Sequence, residues 1–147
     1  MSSNATTSSG KPRAVDWGRF ALVGLATVVV AVIANILVYF IGSTIVTYDP
    51  AFIVLSTVQP AIIFTLVPAI VAVLLYAVLL RFSDNPARTF TIVAAVVLVV
   101  SLIPDVTYIP TVPSATGGQT AVLMLMHVAA AAVIVWMLTT FTRPRSE

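Results

Sequence analysis

"AVLMLMHVAAAAVIVWML", residues 121–138, is an apolar run interrupted by a single histidine, His127, the only one in the chain. No Asp, Glu, Lys or Arg falls inside it. As an α-helix it spans about 27 Å at 1.5 Å per residue, close to the roughly 30 Å of a bilayer's hydrocarbon core. The run is continuous rather than alternating, so it does not read as a barrel strand. In lipid the backbone must satisfy its own hydrogen bonds, and a helix does so within one segment.

Three further runs match it. Extended to residues 120–141, this stretch is the fourth span. "FALVGLATVVVAVIANILVYFIG" (20–42) is the first, "AIIFTLVPAIVAVLLYAVLL" (61–80) the second and "TFTIVAAVVLVVSLIP" (89–104) a shorter third. The composition agrees: 60% of the 147 residues are hydrophobic and 8% charged, with a mean hydropathy of +1.11. Soluble domains carry about a quarter charged residues. Without cysteine, disulfides, thiolate metal sites and thiol redox chemistry are excluded.

Charge placement sets the expected topology. Lys11, Arg13 and Arg19 precede the first span, Arg81 and Arg88 bracket the second connection, and Arg143 and Arg145 follow the fourth span. The first and third connections contain no Lys or Arg. The positive-inside rule puts both termini and "RFSDNPARTF" in the cytoplasm. The fold expected is an all-α membrane protein, an antiparallel bundle of four transmembrane helices with both termini cytoplasmic. Residues 1–16, polar and small, read as a disordered cytoplasmic tail. Residues 17–142 form the transmembrane domain, and 143–147 a short basic tail. The Asn4-Ala5-Thr6 sequon falls in the first tail, on the side where it carries no meaning. "VTYDP" at Val46 and "VTYIP" at Val106 share four of five residues; these are ordinary residues for membrane-edge loops.

Polar side chains inside the spans are the candidate site. Asn35 lies sixteen residues after Arg19, Thr65 sixteen before Arg81, Asp105 seventeen after Arg88 and His127 sixteen before Arg143. Each therefore sits about 24–26 Å above the inner arginines, forming one polar layer in the outer leaflet. Helical spacing groups them with small residues. The stripes are Thr27, Ala31, Asn35 and Gly42; Ala61, Thr65, Pro68, Ala72 and Tyr76; Thr91, Ala94, Leu98, Ser101 and Asp105; and Thr120, Met124, His127 and Ala131. Such stripes favour helix–helix contacts and are expected to face the interior.

Two readings of His127 stand side by side. One is a proton relay, a haem ligand or a hydrogen bond to a quinone. The other is a neutral imidazole satisfied by Asn35, Thr65 or a carbonyl. Asp105, after Pro104, reads first as a solvated cap and second as the partner that orients His127. Asn35 reads as interhelical glue. One His and one Asp are too few for a zinc site built by the protein, and no metal is expected. Catalytic triads, phosphate-cradling glycine loops and basic clusters for nucleic acid are absent from the sequence.

"ANILVYFI" in the first span, "VPAIVAVLLYAVLLRFSDNPARTFTIVAAVVLVVSLIPD" and "LMLMHVAAAAVI" resemble an uncharacterised family of small bacterial four-helix integral membrane proteins, a domain of unknown function. The resemblance implies that fold and a multi-pass place in a bacterial inner membrane. It implies no reaction and no site residues. The expected function is that of a non-enzymatic membrane protein, an accessory subunit or oligomer-forming bundle. Its partners would be the lipid bilayer and other membrane subunits or further copies of itself, with no nucleic acid and no cofactor. The alternative is a small-molecule carrier or redox subunit holding a quinone, haem or lipophilic ligand at the His127 layer.

Overall fold

The computed structural model describes residues 15–142. The expectations for the two tails, with Lys11, Arg13, Arg143, Arg145 and the sequon, lie outside the described residues. The described residues form helices α1 (Trp17–Ile45), α2 (Ile53–Ser56), α3 (Gln59–Phe82), α4 (Pro86–Thr107) and α5 (Gly117–Phe141), with a 3₁₀ turn at Ile109–Thr111. No strand occurs among them. Four helices, α1, α3, α4 and α5, are long and apolar enough to cross a membrane.

Local chemistry explains the helix ends. The Asp16 side chain caps α1 by accepting from the Arg19 backbone N–H at 3.0 Å. Pro60 and Pro86 stand in the first turns of α3 and α4, where a missing N–H costs nothing. A capping box starts α5: Gln119 N–H donates to Thr116 Oγ1 at 3.3 Å, and Thr116 N–H donates to Gln119 Oε1 at 2.8 Å.

The third span is longer than residues 89–104. Pro104 does not end α4, which runs on to Thr107 while the Pro104 carbonyl accepts from Tyr108 N–H at 2.9 Å. Proline removes one donor but leaves the next turn's carbonyl bonds intact, and membrane helices tolerate it.

The helices do not pack evenly. α1 packs mainly on α5 and α3, while α4 packs mainly on α5. At one end Phe20, Tyr76 and Phe90 meet, with ring centroids 6.4 Å and 4.9 Å apart. That contact brings the arginine-bearing ends of α1, α3 and α4 together. At the other end a second cluster joins Phe52 and Leu55 of the α1–α3 connection to Ile109, Leu123 and Met126. Tyr48 Oη donates to the Tyr39 carbonyl at 2.9 Å, and Tyr39 Oη donates to the Leu55 carbonyl at 3.2 Å. Burial, and then the neighbouring Tyr39, push the Tyr48 phenol above its ordinary pKa, so it stays a neutral donor.

Candidate functional site

The four candidate polar residues come together as two pairs. In the first, Asn35 of α1 donates from Nδ2 to Thr65 Oγ1 of α3 at 2.7 Å, and Thr65 Oγ1 donates to the Ala61 carbonyl at 2.6 Å. Both residues are buried. With its proton committed to Ala61, the Thr65 oxygen is free to accept, which fixes the orientation of the Asn35 amide. Asn35 Oδ1 is then left buried without a partner. This pair ties α1 to α3.

The second pair ties α4 to α5. Asp105 Oδ2 lies 3.0 Å from His127 Nδ1. The same nitrogen is 3.0 Å from the Leu123 carbonyl, one turn back on α5. Both neighbours of Nδ1 are oxygens, so Nδ1 carries a proton, and its N–H is directed at Leu123. The carboxylate oxygen lies off that axis: it makes a close polar contact but no hydrogen bond, and its lone pairs stay open in a buried position. No hydrogen bond links the two pairs among the described residues.

Two expectations change here. Asp105 is not a solvated cap. It sits inside α4 and is only 5% exposed, because the helix continues past Pro104 and carries the carboxylate back to the seam with α5. His127 does not point into the centre of the protein. Its side chain is 40% exposed, and the Thr120–Met124–His127–Ala131 stripe is half-buried throughout. The buried face of α5 is Gln119, Val122, Leu123, Met126, Ile134 and Leu138, rotated by about one residue from that stripe. α5 serves two neighbours: the apolar face is spent mainly on α1, and the polar stripe falls on its flank beside α4. The stripe on α1 is buried at Thr27, Ala31 and Asn35, and that on α3 at Ala61, Thr65 and Tyr76 with Pro68 exposed. On α4 only Asp105 of its stripe is buried.

His127 Nε2 is the one ring nitrogen left over. It has no hydrogen-bond partner among the described residues and is not sealed off. Gln119 is the residue that sequence reasoning missed. It is fully buried, and its Nε2 has no partner. The signal was present, since Thr116-Gly-Gly-Gln119 has the capping-box spacing. Among the described residues no three His, Asp or Glu side chains gather as a metal centre.

Residues 15–144 match the model of a family of unknown function (DUF6069). No curated protein and no solved structure matches the chain.

Proposed function

The chain belongs to the DUF6069 family, whose function is unknown, and from its geometry we propose that it is a non-enzymatic membrane protein whose Asp105–His127 pair holds a hydrogen-bonding partner taken from the membrane phase. One observation carries this reading. A buried carboxylate and a backbone carbonyl fix one face of an imidazole, while Nε2 on its other face is open and unpartnered at a helix seam. An unsatisfied polar atom in hydrocarbon costs several kcal/mol (about 2–7), so such a nitrogen favours company. Ionisable groups inside spans are costly and mark sites where a ligand, ion or subunit is handled.

The arrangement proposed in the bilayer is an antiparallel bundle with both termini cytoplasmic, in a bacterial inner membrane. Arg19, Arg81 and Arg88 support it: they gather at the end where Phe20, Tyr76 and Phe90 meet, opposite to the α4–α5 connection. By the positive-inside rule that end is cytoplasmic, and the Asp105–His127 pair lies in the outer half. A cysteine in place of the exposed Ser114 reacts with an impermeant thiol reagent applied to intact cells, whereas one in place of the exposed Asp84 reacts only after lysis. Labelling of the Asp84 position in intact cells reverses the topology.

The chain's single histidine makes the partner directly visible. In protein labelled with ¹⁵N-histidine, Nε2 in native membranes gives the resonance of a hydrogen-bonded nitrogen. After reconstitution into synthetic phosphatidylcholine alone, it gives that of a free one. A free Nε2 in both samples, or the same bonded resonance in both, removes the proposal.

A further inference from the structure

The seam between α4 and α5 stays open beyond the Asp105–His127 pair, toward the connection that joins the two helices. A cleft of about 340 Å³ lies there, lined by Val106, Pro110, Ala115, Thr120, Ala121 and Met124 among others. Its size falls in the range of small-molecule pockets, about 300–1,000 Å³. It follows the same helix faces as the pair. Met124 and Thr120 stand about one and two turns from His127 along α5, and Val106 follows Asp105 on α4. The walls are mostly aliphatic. The polar side chains of its lining are those of Thr116 and Thr120; His127 lies beyond the lining, about one turn past Met124 on the same stripe of α5.

We infer that this seam binds a lipophilic molecule bearing a hydroxyl or phenol group, its apolar body along the cleft and its O–H donating to His127 Nε2. The inference rests on the reading of the pair as a partner-holding site and names the partner's chemistry. Nδ1 holds the proton because oxygens surround it, so Nε2 of the neutral ring is an acceptor and selects a donor. An anionic headgroup is disfavoured by the open carboxylate oxygen of Asp105, which lies 3.0 Å from the ring. An ammonium group would find one accessible acceptor, Nε2, for its three protons, since the Asp105 oxygen is buried. A hydroxyl needs only the one acceptor.

The test uses the full chain in phosphatidylcholine nanodiscs, labelled with ¹⁵N-histidine and ¹³C-methyl-methionine. Met124 lines the cleft, whereas Met126 is buried on the other face of α5. The probes are 4-octylphenol and octylbenzene, which differ by the hydroxyl. The result expected is that 4-octylphenol shifts the Met124 methyl and moves Nε2 to a hydrogen-bonded resonance, with Met126 unmoved. Octylbenzene leaves Nε2 where it was. The inference is overturned if 4-octylphenol leaves either Met124 or Nε2 unchanged, or if octylbenzene moves Nε2 equally. Failure here is distinct from failure of the parent reading. A bonded Nε2 in native membranes with no response to 4-octylphenol removes the hydroxyl chemistry and keeps the partner. A response to 4-octylphenol with a free Nε2 in native membranes does the reverse.

Discussion

His127→Leu will destabilise the protein by about 1–3 kcal/mol, the usual cost of leaving a buried polar group without its partner, and Asp105→Leu will cost clearly less. The asymmetry follows from what each residue keeps when its partner goes. Without His127, the Asp105 carboxylate is buried at 5% exposure with the polar ring beside it gone. Without Asp105, His127 still donates from Nδ1 to the Leu123 carbonyl, and its ring is already 40% exposed. The double variant, Asp105→Leu with His127→Leu, should recover most of the loss, since apolar replacement of a whole buried pair is often neutral or better. Equilibrium unfolding in mixed micelles across the four proteins gives the cycle and its coupling energy. Equal single costs with no coupling would mean that the 3.0 Å contact contributes nothing. The opposite order would mean that Asp105 carries its own proton and does not depend on the imidazole.

The polar residues were legible in the sequence because lipid makes them conspicuous. Asn35, Thr65, Asp105 and His127 stand out in apolar runs, and counting helical rise from Arg19, Arg81, Arg88 and Arg143 put them at one depth. The structure joins them across helices as Asn35 to Thr65 and Asp105 to His127. Rotation about the helix axis was much less legible. In a soluble helix the polar face marks the outside, but here Leu25 and Val29 face outward and are as apolar as Val28, which is buried. On α5 this left the small and polar residues as the only guide, and they led to the flank beside α4 rather than to the face against α1. The reach of α4 past Pro104 was hidden for a related reason: proline is a strong stop signal in water and a weak one in lipid. α2 gave no signal because a four-residue helix between two spans has no period to read.

Gly24→Leu should be the most damaging change at the opposite end of α1, costing about 1–3 kcal/mol or somewhat more. A Cβ on Gly24 would lie 2.7 Å from Val73 Cγ1 of α3, well inside the roughly 3.5–4.0 Å at which carbon atoms attract. Val73 cannot swing aside cheaply, because a β-branched side chain in a helix has one strongly preferred rotamer. The remaining response is to move α1 away from α3. That separation would lengthen the Asn35–Thr65 hydrogen bond, 2.7 Å at present and three turns further along the same interface. Gly24→Ala should show the same effect in smaller measure. Gly117→Ala is the control: nothing lies within 4 Å of its added carbon, and its effect should stay within about 0.5 kcal/mol. Val73→Ala in the Gly24→Ala background removes the methyl group that clashes, Cγ1, and should return most of the lost stability. Thermal unfolding in detergent reads all of these variants. If Val73→Ala merely adds its own loss to that of Gly24→Ala, the two residues are not in contact and α1 and α3 meet on other faces.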